Sequence, residues 1–135
     1  MTPKEFATKW FGNLDAKNFD GLKNMMSSNH RFSNPATPQP LSADEHLGLM
    51  QGMTTAFTGS HTIEQMICEG DWVVTRGRWK GKHTGDFNGI PATGRDVDFS
   101  FLDTMQVTND KVVNEYMEWN AMTLMTQLGA MAQPA

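Results

Sequence analysis

Apolar residues recur at helical spacing in the first part of the chain and alternate in the second, and the change falls after Gly59. Phe6, Trp10, Phe11 and Leu14 give one apolar helix face. Ahead of them, Thr2-Pro3-Lys4-Glu5 supplies an N-cap, a proline at the first helical position and a reciprocal glutamate. A polar break at Asn18 precedes a short second helix that carries Phe19, Leu22, Met25 and Met26. Asn29 to Pro40 holds three prolines and reads as irregular chain, with a short strand around His30 to Ser33. Ser42-Ala43-Asp44-Glu45 is a second capping box. It opens a helix to about Phe57 whose stripe is Leu49, Met50, Met53, Ala56 and Phe57.

Four strands follow. His61 to Glu69 and Trp72 to about Lys82 are joined by a hairpin turn at Gly70-Asp71. Gly85 to Gly94, with three glycines and Pro91, is a loop. Asp96 to Thr108 and Lys111 to Trp119 pair about Asn109-Asp110, and Ala121 to Met131 forms a C-terminal helix. Helices first and hairpin-linked strands after imply an α+β domain, with helices packed on one face of an antiparallel sheet.

A length of 135 residues with no internal repeat or linker implies a single domain over 1–135. Such a chain buries roughly 70% of its unfolded surface and needs no staples. One cysteine, Cys68, excludes an intramolecular disulfide; it reads as a small buried strand residue and fits a cytoplasmic location. Net charge −4 without a basic stripe argues against nucleic acid, and no apolar run is long enough to cross a membrane. Arg76, Arg78, Lys80 and Lys82 alternate on a strand and read as a solvated face. His30, His46, His61 and His83 have no ligand spacing, so the expectation is no metal. Phosphate loops, dinucleotide fingerprints and nucleophile elbows are missing too.

The informative residues are polar groups where the strand period predicts burial. Asp103 shares a face with Val97, Phe99, Phe101, Met105 and Val107. A carboxylate there is costly unless paired or neutral, which suits a raised pKa and proton transfer. The next strand is apolar on both faces, Val113, Met117 and Trp119 on one and Val112 and Tyr116 on the other, so parity leaves its inner face open. Counting outward from Asn109-Asp110, Asp103 and Glu118 are offset by about two residues, a diagonal of roughly 7 Å if they share a face. The expected pair is Asp103 as the protonated partner and Glu118 as the base. The pocket walls are expected from Trp10, Phe32, Asn34, Met53, Phe57, Trp79, Phe99 and Tyr116, with Asn120 or Tyr116 donating a hydrogen bond. Glu115, Met117 and Trp119 are expected on the opposite face, against a second copy of the chain.

Several segments resemble the SnoaL-like polyketide cyclases, members of the nuclear transport factor two-like superfamily. They are Gly81 to Arg95, the turn Asp110-Lys111-Val112, Asn34-Pro35-Ala36-Thr37, and Gln127-Leu128-Gly129. The resemblance implies a cone-shaped α+β barrel, a curved antiparallel sheet whose deep pocket the helices close, and a homodimer. It implies an intramolecular aldol condensation without a cofactor, on a small hydrophobic molecule of polyketide type. An aspartate near the end of the last strand would move the proton, with a histidine on the strand before. Aligned from Gly129 backward, that aspartate falls on Met117 and that histidine on Asp103; a one-residue shift puts Glu118 at the aspartate, and a further family aspartate is Asn120. The function expected is therefore a cyclase or isomerase working by enolisation. The alternative is a binding domain for a small hydrophobic ligand without catalysis.

Overall fold

The computed structural model describes residues 1–131. Helix α1 spans Pro3–Asp15, and its capping box is formed in both directions between Thr2 and Glu5. Helix α2 covers Phe19–Asn24, capped by the Asn18 side chain. It stops short of the expected Met26. That residue instead opens strand β1, Met26–Ser33, which begins four residues before His30. Helix α3, Ala43–Ala56, starts at the Ser42 and Glu45 box. Strand β2 follows at once as Phe57–Glu69, so it begins earlier than the expected His61. Strands β3 (Trp72–His83), β4 (Asp96–Thr108) and β5 (Lys111–Trp119) follow, then helix α4, Ala121–Gln127. Helix α4 ends before the expected Met131, next to Gly129 at φ 76°.

The sheet order is β1-β5-β4-β3-β2. Three pairs are antiparallel, but β1 runs parallel to β5, so the expected antiparallel sheet is mixed at one edge. The sheet curves without closing, and β1 and β2 remain its two edges. Asn109 and Asp110 both have positive φ, the pattern of a two-residue type I′ hairpin. The Gly85–Gly94 loop contains a small hairpin of its own, with Phe87 bridged to Ile90 around Asn88 and Gly89 at positive φ.

Helices α1 and α3 cover the concave face. The main core joins Phe6, Trp10, Phe11 and Leu22 to Val73, Phe101, Met105 and Val112. A second cluster of Ala56, Phe57, Val97, Phe99, Leu124 and Leu128 seats α4 at one end. Arg76, Arg78, Lys80 and Lys82 lie on the convex face, where Arg78 meets Asp98 at 2.6 Å and Lys82 meets Asp96 at 2.7 Å. Cys68 is half-buried near the end of β2, not buried as expected.

Candidate functional site

The concave face encloses a cavity of about 120 Å³ between α1, α3 and the sheet. Trp10, Phe32, Met53, Phe57, Trp79 and Phe99 line it, together with Met50, Phe101, Met117 and Trp119. Two facing glycines shape this wall. Gly59 and Gly81 are cross-strand partners, and a Cβ on either would fall within 3 Å of the other's Cα and of the Trp79 ring. Their bare backbones let the indole lie against the sheet.

The polar residues in the lining are few: His46, Thr54, His61 and Glu115. Glu115 reaches the cavity because β5 is irregular. Gln106 pairs with Asn114 but Val107 pairs with Val112, so Val113 is an extra residue in the ladder. The bulge switches parity. Val112 points inward before it, and Glu115, Met117 and Trp119 point inward after it. Tyr116 and Glu118 are therefore on the convex face, where Tyr116 is 50% exposed and Glu118 is exposed. Glu118 does not face the cavity beside Asp103, and Glu115, Met117 and Trp119 do not face a partner. Asn34 instead turns its own loop, bonding Ala36 and Thr37, and Asn120 caps α4 through the Thr123 amide; neither lines the cavity.

Asp103 is fully buried on the inner face of β4. Directly across from it are Thr75 on β3 and Met117 on β5. Glu115 pairs with Met105, which places it diagonal to Asp103, two residues along. The offset foreseen for Glu118 is thus occupied by Glu115. Among the described residues Asp103 Oδ1 and Oδ2, Glu115 Oε1 and the Thr75 hydroxyl oxygen have no hydrogen-bond partner. Two carboxylates cannot donate to one another, so a proton on one of them supplies the missing donor. Burial pushes Glu115 well above the ordinary carboxylate range, and the charge of Asp103 and a hydrogen bond with it push the same way. Burial also raises Asp103, to about 6, against opposing effects of the Glu115 hydrogen bond and the His61 charge. At neutral pH the pair therefore holds one proton, on Glu115, with Asp103 ionised. His61 is itself held by Asp15, 2.6 Å from Nδ1.

Beyond Glu115 lie two buried imidazoles. His46 Nδ1 is 3.8 Å from Glu115 Oε1 and 2.9 Å from His30 Nε2. His30, His46 and Glu115 bring one potential ligand atom each within 4.8 Å of one another, the spacing of a metal triad. The orientation does not suit one. The two ring planes agree within 5°, their centroids are 5.1 Å apart and the nitrogens are 2.9 Å apart. The rings thus lie edge to edge with the two nitrogens aimed at each other, which is a hydrogen bond and not two lone pairs converging on an ion.

The sequence reading missed Glu115, His46 and His30. His46 carried a signal, because it stands one helical step before Leu49, Met50 and Met53 on the apolar stripe of α3. Glu115 carried none, because its direction depends on the bulge.

A family model for SnoaL-like polyketide cyclases matches residues 5–128. No curated protein sequence matches the chain. Among solved structures, IdmH, a candidate polyketide cyclase from Streptomyces antibioticus, superposes with a TM-score of 0.86 at 22% identity, over 96% of this chain and 99% of that one. AclR, a candidate hydroxylase from Streptomyces galilaeus, gives 0.89 at 20% identity over 98% and 84%. A candidate SnoaL-like polyketide cyclase from Jannaschia sp. CCS1 gives 0.86 at 20% identity over 98% and 93%. At these identities the likeness establishes the fold alone, and a fold does not by itself select a chemistry.

Proposed function

The chain belongs to the SnoaL-like polyketide cyclase family, and from that premise we propose that it is a cofactor-independent cyclase that enolises an apolar carbonyl compound and closes a ring by intramolecular aldol addition. The observation that carries this reading is the buried carboxyl pair at an apolar cavity, with Glu115 in the wall and Asp103 behind it. Removing a proton beside a carbonyl needs a base that is ionised near neutral pH and shielded from water. Transfer of the Glu115 proton to Asp103 leaves a Glu115 carboxylate facing the substrate. That carboxylate takes the α-proton, and the enolate carbon bonds to a second carbonyl carbon of the same molecule. The resulting alkoxide recovers the proton from Glu115, and Asp103 returns its own, so the pair ends as it began.

Glu115, in place of the expected Glu118, is thus the group in contact with substrate, and Asp103 serves as its proton partner. Glu115→Gln keeps the shape and removes the base. With an enolisable polyketide-like ketone as substrate, turnover should fall by roughly 10²–10⁴-fold. Retention of full turnover by this variant would refute the assignment. The largely apolar wall also suits a ligand-binding domain, and that reading would take over if the unaltered protein bound such ketones tightly without turning them over.

The molecule bound should be small and hydrophobic. Among the described residues no helix is long and apolar enough to cross a membrane. A single half-buried cysteine is compatible with a reducing cytoplasm, the location we favour. We also favour a homodimer, but through the convex face of the sheet. Ile67, Leu102 and Tyr116 are each about half exposed there, and Trp72 stacks on Tyr116 at 6.4 Å. Light scattering that found a monomer at micromolar concentration would remove this part of the proposal.

A further inference from the structure

The two buried imidazoles form a chain whose protons are dictated from one end. His30 Nδ1 is 3.1 Å from the Val112 carbonyl oxygen. A carbonyl only accepts, so His30 Nδ1 carries the proton. In neutral His30, Nε2 is then a bare lone pair, and it faces His46 Nδ1 at 2.9 Å. His46 must therefore donate from Nδ1, and in the neutral ring Nε2 is left unprotonated. Burial lowers the pKa of both rings, and for His46 the charge of His30 acts the same way, so both are neutral at pH 7.

The rest of the surroundings hold His46 in place. Its ring lies parallel to Phe32, with centroids 3.6 Å apart, and Trp10 packs at 5.9 Å. Glu115 Oε1, at 3.8 Å from Nδ1, is too far to compete for the same proton. His46 belongs to the cavity wall, and its Nδ1 is turned to His30, so Nε2 is the polar atom it can present to a ligand. Among the described residues no group bonds to that nitrogen.

We propose that His46 Nε2 is a hydrogen-bond acceptor whose tautomer is fixed by His30 and the Val112 carbonyl, and that the cavity consequently selects a ring compound bearing a hydroxyl donor over the same ring bearing a methyl group. An apolar cavity of about 150 Å³ holds one benzene ring. At about 120 Å³ this cavity accepts a single ring with a small shift of Met50 or Met53. A hydroxyl on that ring satisfies Nε2; a methyl leaves a buried acceptor without a partner. The inference does not rest on the aldol reading, since it concerns recognition and applies to a catalytic or a non-catalytic cavity alike.

Phenol and toluene are the probes, being close in size and differing in the donor. Calorimetric affinities for both are measured on the full chain and on His46→Leu. The phenol-to-toluene affinity ratio should fall about tenfold in the variant. An unchanged ratio would overturn the proposal. The tautomer is tested on the unaltered protein by long-range ¹H–¹⁵N NMR correlation of the histidine side chains at pH 7. The expected pattern for His46 is protonated Nδ1 and bare Nε2, and a proton found on Nε2 would overturn the proposal even if His46→Leu fails to fold. Aldol turnover plays no part in either readout, so failure here leaves the carboxyl pair standing and failure there leaves His46 standing.

Discussion

Replacing Asp103 with asparagine should stabilise the protein at neutral pH. The side chain is fully buried, its ionised form accepts only the Glu115 proton, and burial still raises its pKa from 3.8 to about 6. Below pH 3.8 the carboxyl is protonated in the folded and the unfolded chain, and its ionisation costs nothing. Between 3.8 and about 6 the unfolded chain releases this proton and the folded chain keeps it. The folded state then binds more protons, so stability falls as pH rises through that window. Above about pH 6 the full cost is present. A shift of about two units at ~1.36 kcal/mol each gives up to about 3 kcal/mol. Asp103→Asn keeps the shape, cannot ionise and offers an amide N–H to Glu115. Its advantage over the unaltered protein should be near zero at pH 3.5 and reach up to about 3 kcal/mol at pH 7.5, a rise in Tm of roughly 10 °C. Urea unfolding of both proteins across that range is the assay, because the difference between them isolates Asp103 from the other titrating groups. If the variant is equally or less stable at pH 7.5, the buried charge has a compensating partner, and the argument for a strained carboxyl pair fails.

The same titration sets a pH limb for catalysis. If the pair must be singly ionised, kcat/KM should drop on the acid side of about pH 6 as Asp103 gains its proton, and a rate that is flat down to pH 4.5 would exclude it from the chemistry. Glu118→Gln alters an exposed convex-face residue, so stability should stay within about 0.5 kcal/mol and turnover should be unaffected. A large loss of turnover in that variant would restore Glu118 as the base. Gly81→Ala would drive a Cβ to 2.2 Å from the Thr58 carbonyl oxygen and 2.7 Å from Trp79. A loss of about 2–3 kcal/mol in urea unfolding is expected, and an unchanged midpoint would contradict the close β2–β3 approach.

The amino-acid sequence by itself determined the elements whose cause is local. Thr2 with Glu5 and Ser42 with Glu45 open α1 and α3 because each box closes within three residues. Asn109-Asp110 turns β4 into β5 because those residues tolerate positive φ, and strict alternation from Val97 to Val107 put Asp103 on the inner face. Met26 escaped because hydrophobic period alone does not separate the last turn of a helix from the first residue of a strand. The parallel pairing of β1 with β5 is likewise a relation between segments some eighty residues apart, to which neither segment's own pattern testifies. The same holds for the site. Glu115 rather than Glu118 meets Asp103 because Val113 is extruded from the β4–β5 ladder, and a one-residue bulge reverses every side chain after it. His30 and His46 carry no ligand spacing along the chain, yet they touch because α3 folds back over β1. Local chemistry fixed where helices and strands begin; which side chains share the cavity depended on strand register and helix placement, and those are set only when distant segments pack.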